Sequence, residues 1–444
     1  MSAAIESLTT RLRDAQSTLP GHQHPWLAGR RSDALAHLER TGLPTVRDED
    51  WKYTSLRNLE RRAFELVETQ GSTSSTRALI EQFGHGDTAG PVVVVRDGQL
   101  AGISGELAQG VNVVALADAL EDTSLRNVVQ EHIAAVANAQ ADGFAALNAA
   151  HLDAGLVLHV AAGAQPEHPV TVLNVASGRD DVAVNPRNLI VMDAGARVQL
   201  IEHNVAELDG AYLHNNVTEV VLREDAFLEH TKLQEESTKA FHVTTLEARL
   251  DKRAQFVSHA LSVGAALHRA DINVHLSGEE ASVTLNGLYI GSGRQHVDYH
   301  TRIHHAEPNC SSEQLYKGIL GGSARGVFNG QVHVHEHAQR SDAQQANHNL
   351  LLSRNAEIDT KPQLEILADD VKCSHGTTVG QLDDTMLFYL RSRGVPEAQA
   401  RGLLTYGFAH DIVERLNSAT LAARMEHLLV EVLPHGDELR ALVD

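Results

Sequence analysis

Histidine is the residue whose numbers first suggest chemistry: the 444-residue chain carries 27, many of them between His203 and His375. Imidazole is the commonest metal ligand among side chains. The densest candidate is the run VKCSHGTTVG, Val371 to Gly380. Cys373 and His375 stand two apart, so on a strand they project to one side and offer thiolate and imidazole together. The blander alternative is one buried thiol and one surface histidine. His333, His335 and His337 alternate as well, which on a strand puts them on one face about 7 Å apart, too far for neighbours to chelate one ion. A polar outer face is the simpler reading there. His300, His304, His305 and Cys310 form a looser set, and the pairs Glu235-Glu236 and Glu279-Glu280 read as solvated charge. The sequence has no G-x-x-x-x-G-K-[ST] phosphate loop, no G-x-S-x-G elbow and no H-E-x-x-H. GSGRQH at Gly291 lacks the strand-to-helix setting of a dinucleotide site. No catalytic machine is spelled out, and the chain is expected not to be an enzyme.

Composition narrows the partners. Lys plus Arg is 37 against 58 Asp plus Glu, a net charge of −21, which repels nucleic acid and anionic membrane surfaces. With 42% hydrophobic and 21% charged residues the chain can bury a large core. No apolar stretch approaches the ~20 residues of a membrane helix, and MSAAIESLTTRLRDAQ lacks the apolar centre of a signal peptide. Cys310 and Cys373 lie 63 residues apart, neither a disulfide framework nor a Cys-x-x-Cys site. The expected location is the reducing cytoplasm.

Three regions must position these residues. Residues 1–150 read as mainly helical with a short strand segment at PVVVVRDGQL, whose Asp97-Gly98 is a turn signal. A helix is expected over Leu125 to Ala137 and another over Gly143 to His151. Across 151–380 the period changes from 3.6 to 2, in short β-branched runs with no helix between them. Alanines recur after turns at 196, 226, 254, 281, 324 and 356, spaced by 30, 28, 27, 43 and 32 residues. Such a repeat favours a β-solenoid, with a multi-stranded β-sandwich as the alternative. In 381–444 helices return. One spans Asp383 to Arg393 and is closed by Gly394 at C′. The next is opened by Pro396 at N1 and carries Leu403, Leu404, Tyr406, Phe408, Ile412 and Leu416, and a last one runs from Ser418 to about Val432. Helices appended to a solenoid cap its end or dock a partner.

Several motifs together resemble the SufB/SufD family of the SUF iron–sulfur assembly system, and within it the SufD branch. They are EDWKYTSL (Glu49–Leu56), RGVFNGQV (Arg325–Val332), DTKPQLEIL (Asp359–Leu367), ADDVKCSHGTTVGQLDD (Ala368–Asp384) and LFYLRSRGV (Leu387–Val395). The likeness runs in register from about residue 45 to 416. It implies a right-handed parallel β-helix with helical N- and C-terminal regions, acting as a non-catalytic scaffold. It implies pairing with the paralogue SufB and docking of the ABC-type ATPase SufC, so that no nucleotide is bound by this chain. SufC docking is assigned to Leu387, Tyr389, Arg391, Arg393, Leu404 and Phe408. The likeness further implies iron or an iron–sulfur cluster held transiently at the SufB interface, with His375 as a ligand and Cys373 beside it. The cysteine that SufB contributes has no counterpart here, where Gln345-Ala346-Asn347-His348-Asn349 stands instead. In isolation a homodimer is possible. The competing readings are a stand-alone histidine-rich metal-binding protein and a β-solenoid carbohydrate-active enzyme.

Overall fold

The computed structural model describes residues 3–67, 75–84, 90–434, 436 and 439. Its centre is a β-solenoid of about eight turns. Successive strands alternate between two sheets. Sheet I stacks Leu156–Val160, Arg187–Met192, Leu213–Leu222, Phe241–Leu250, Leu267–Leu276, His296–His305, Arg325–Val334 and Glu357–Ile366. Sheet II stacks Val170–Ala176, Arg197–Ala206, Phe227–Gln234, Gln255–Ser262, Ser282–Gly291, Ser311–Leu320, Asp342–Leu351 and Lys372–Gly380. Within each sheet these strands are parallel and in register, so alternate side chains enter one lumen. That lumen is the largest apolar cluster, from Val170 and Ile190 through Phe256 to Tyr316 and Phe328.

The corners explain the alanine repeat and its one irregular interval. Ala196, Ala226, Ala254 and Ala281 occupy the corner leading from sheet I to sheet II, where Cys310 and Ser341 continue the series. Ala324 and Ala356 lie on the opposite corner, so the 43-residue step is a change of corner. The residue before each small one is left-handed: Gly195, Asp225, Arg253, Glu280, Asn309 and Arg340 have φ between 56° and 70°. A small side chain is needed because each corner residue is buried.

Both outer faces are covered. The N-terminal helices Ala3–Ala15, Pro25–Thr41 and Gly143–His151 bury Leu213, Phe241, Val243 and Leu267 of sheet I. The C-terminal helices Glu397–Val413 and Ala419–Val432 bury Ile201, Leu233, Leu261, Leu288 and Leu315 of sheet II. At its N-terminal end the solenoid is closed by antiparallel strands: Gln99–Ser104 pairs with Val92–Arg96, and Val111–Ala115 with Leu156–Val160. The turn at Asp97-Gly98 has both residues at positive φ, as expected of that dipeptide.

Two local expectations are corrected. The helix expected to reach Ala137 stops at His132, because buried Glu219 draws the backbone N–H groups of Ala134 to Ala137 at 2.7–3.2 Å and Ala134 turns to φ 52°. Pro396 stands as the cap of Glu397–Val413, one residue outside it. Gly394 is at φ 89°, where its N–H bonds the Arg391 carbonyl and the next N–H bonds that of Leu390, a Schellman closure.

The EDWKYTSL segment is fastened to sheet I by one buried cation. Arg269 grips both oxygens of Asp271 at 2.8 Å, reaches Asp298 at 2.6 Å and the Asp50 carbonyl at 2.8 Å, and lies 4.3 Å over the Trp51 ring. Thr54 donates to the same Asp298. Removing one partner of a buried ion pair strands the others. Arg269→Ala is therefore expected to lose about 3–5 kcal/mol of unfolding free energy in a denaturant titration. Burial opposes ionisation of Asp271 and Asp298, but Arg269 outweighs it and holds both carboxyls below their usual range. A depressed carboxyl pKa stabilises the fold above the unfolded value, about 3.9 for Asp. Melting temperature should hold from pH 7 to about 5, then fall as pH drops below about 4, and the fall should be shallower in Arg269→Ala.

Candidate functional site

The last turn differs from every earlier one because, among the described residues, no further strand stacks on it. Lys372–Gly380 pairs only with Asp342–Leu351, and Glu357–Ile366 only with Arg325–Val334. Each therefore leaves one row of backbone donors and acceptors free among the described residues. The side chains follow the same logic. Cys373 is in register with Ala343, His375 with Gln345, Thr377 with Asn347 and Val379 with Asn349. All four of those partners are buried in the lumen. Cys373, His375, Thr377 and Val379 thus occupy lumen-facing positions in a turn that has no lid.

This brings Cys373 and His375 to one side, as their spacing predicts, but gives them different surroundings. Cys373 is half-buried against Val332, Val334, Ala338 and Ala343, and burial followed by the charge of Asp342 raises its pKa. His375 is exposed, and no hydrogen bond or ion pair is found for it among the described residues. Directly beneath it Gln345 is buried with neither amide atom bonded. Two ligands two residues apart do not complete a metal site, so a cluster held here needs ligands from elsewhere. Apolar residues are also exposed on this last turn: Val379 is 50% exposed, Leu367 54% and Ile366 40%. Sequence reasoning missed these three; applying strand alternation to a final turn would have found Ile366 and Val379.

The other histidines are placed differently. Cys310 is a corner residue whose thiol donates to the Gly278 carbonyl at 3.3 Å, and burial pushes its pKa up to about 11. The His333 strand ends at Val334, so the His333 and His335 rings meet at 4.2 Å instead of sharing an extended face. His333 bonds Glu365 at 3.0 Å on the outside of sheet I.

The six helix residues divide. Leu387 is buried in the chain's own packing. Phe408 is half-buried, with Lys317 4.7 Å from its ring and bonded to its carbonyl; Leu404 is half-buried too. Tyr389, Arg391 and Arg393 are exposed, Arg393 lying 5.3 Å over the Tyr389 ring and Arg391 3.6 Å from Glu397. Beside them Met386 and Phe388, which are not among the six, are 56% and 72% exposed. A cleft of about 610 Å³ between the N-terminal region and sheet I holds none of the candidate residues.

Two cysteines in such different settings should react at different rates. Iodoacetamide at pH 8, read by peptide mass spectrometry, is expected to label Cys373 at least about tenfold faster than Cys310, whose thiolate fraction is smaller and whose access is blocked. Equal rates would mean that the corner opens.

Comparison with known proteins adds the following. Residues 174–408 match the family described as SUF system FeS cluster assembly, SufBD core domain, and residues 4–172 match the SufBD protein N-terminal region. The chain is 32% identical over 406 residues to the iron–sulfur cluster assembly protein SufD of Escherichia coli, covering 90% of this chain and 92% of that protein. It is 31% identical over 426 residues to an iron–sulfur cluster assembly SufBD family protein of Synechocystis, covering 92% of each. No helix among the described residues is long and apolar enough to cross a membrane.

Proposed function

The chain belongs to the SufBD family of the SUF iron–sulfur cluster assembly system, and from that premise we propose that it is a non-catalytic scaffold subunit whose open last turn is completed by the paralogue SufB. The observation that carries this reading is the unlidded final turn. Its free strand edges can be met by strand addition, which needs only backbone groups. Its lumen-facing row would then become interior, so the partner's side chains would close over Cys373 and His375. Ile366, Leu367 and Val379 supply the apolar rim that such a contact buries.

In this reading the iron–sulfur cluster is cargo, assembled at the seam and passed on. His375 presents an unengaged imidazole to it, with SufB supplying the thiolate that this chain lacks at Gln345 to Asn349. Cys373, half-buried and raised in pKa, is the weaker ligand and a packing residue first. The ATPase SufC would dock on the exposed face Met386, Phe388, Tyr389, Arg391 and Arg393, beside Gly394. Helix Glu397–Val413 would transmit its motion, because it already rests on the outer face of sheet II. The reading places the complex in the cytoplasm.

The test is to tag the protein in its host, purify it anaerobically and identify its stoichiometric partners. A paralogous β-helix protein and an ABC-type ATPase are expected; recovery of the chain alone, or only as a homodimer, would overturn the scaffold reading. His375→Ala should keep both partners and lose at least half of the cluster iron. The double change Phe388→Ala with Tyr389→Ala should release the ATPase and keep the paralogue.

A further inference from the structure

Far from the open end, a second group of ligand-type side chains is fully enclosed. Glu236, which its sequence neighbour makes look like surface charge, is 0% exposed in its side chain. It follows strand Phe227–Gln234, in the loop that leads across to Phe241–Leu250. Its Oε1 accepts from the Tyr212 hydroxyl at 3.0 Å and meets His214 Nδ1 at 3.0 Å. Its Oε2 accepts from the Gln234 amide at 3.2 Å and abuts His242 Nδ1. One ligand atom each from His214, Glu236 and His242 lie within 4.8 Å of one another, and all three residues are buried. His214 and His242 stand in register on adjacent strands, and His268, one strand further on, stacks on His242 at 5.1 Å.

Hydrogen bonding within the protein leaves this group unfinished. His242 Nδ1 is paired with the Glu236 carboxylate, but His242 Nε2 and His268 Nδ1 are buried with no hydrogen-bond partner. A neutral imidazole carries one ring proton. On Nδ1 it donates to Glu236 and leaves only the buried Nε2 without a partner; on Nε2 it turns the Nδ1 lone pair onto the Glu236 carboxylate. The second arrangement is the one a cation between the two would stabilise. A carboxylate and an unprotonated imidazole are the forms that metals bind. Tyr212 and Gln234, both donating to Glu236, are the outer hydrogen bonds that orient a ligating carboxylate. The opposing charge is Lys232, which is drawn aside to Thr244 at 3.0 Å and Glu202 at 3.9 Å, and whose pKa burial lowers.

We propose that His214, Glu236 and His242 bind one divalent first-row transition ion, Fe(II) or Zn(II), inside the solenoid. Two imidazole nitrogens and one carboxylate suit both ions. The site is separate from the cluster seam and shares no residue with it.

The test uses the full-length chain stripped with chelator and loaded with Co(II) as probe, followed by anaerobic Fe(II) and by Zn(II). An anomalous diffraction map of the Co(II)-loaded wild-type protein is expected to show one peak within bonding distance of all three side chains. Equilibrium titration should give one equivalent that is weakened at least about tenfold in Glu236→Gln and unchanged in His375→Ala and Cys373→Ala. A wild-type map with no peak at the triad, or with a peak only at His375, overturns the proposal, and that map decides the matter even if Glu236→Gln does not fold. Loss of partners or cluster in His375→Ala bears on the scaffold reading alone.

Discussion

A parallel strand must find backbone partners on both of its edges, and in a solenoid each turn supplies them to the next. From Leu213 to Leu351 this demand is met turn by turn, each strand pairing in parallel with the one below and the one above. At the N-terminal end two antiparallel strands extend the sheets beyond the solenoid turns, and helices of the N-terminal region pack beside them. At the C-terminal end nothing among the described residues does so. The pairing that builds the core therefore leaves a defined surface unsatisfied at the C-terminal end of the solenoid, and on that surface stand Cys373 and His375.

The rest of the architecture keeps the remaining surfaces occupied. Arg269 ties the segment around Trp51 to sheet I through Asp271 and Asp298, which gives the EDWKYTSL motif a structural reason. The C-terminal helices cover sheet II with Ile412, Leu421 and Leu428, and the short helix Asp384–Ser392 carries Phe388 and Tyr389, the exposed aromatic residues among the described ones. Apolar exposure is thus concentrated at the open turn and the helix that follows it. Such concentration marks interaction surfaces rather than scattered surface residues.

Much of this was legible in the sequence. The change of period near Gly155 and again near Gly380 located the solenoid, because a lumen demands strict alternation. Helix Gly143–His151 matched to the residue, since Asp142 caps it and its small residues pack closely. The corner alanines were visible, but their two-corner arrangement was not, because Cys310 and Ser341 fill the same role with other small side chains. The Ala137 helix end was missed because its cause, Glu219, comes from a strand more than eighty residues on. The candidate pair was found by type and spacing, and the family likeness gave it a role. That it lies in a lumen row without a lid could come only from counting turns to the end. The His214–Glu236–His242 group was invisible for a related reason: its members meet across strands and a loop, and no local spacing brings them together.

The most direct measurement is hydrogen–deuterium exchange of the backbone amides in Lys372–Gly380 and Glu357–Ile366, in the isolated chain and in the anaerobically purified complex. If the open turn is completed by a partner's strands, these amides exchange quickly alone and at least about tenfold more slowly in the complex, while Leu267–Leu276 stays protected in both. Equal exchange of the last turn with and without partners would mean that its edges are not the interface, and the account of the seam would be wrong.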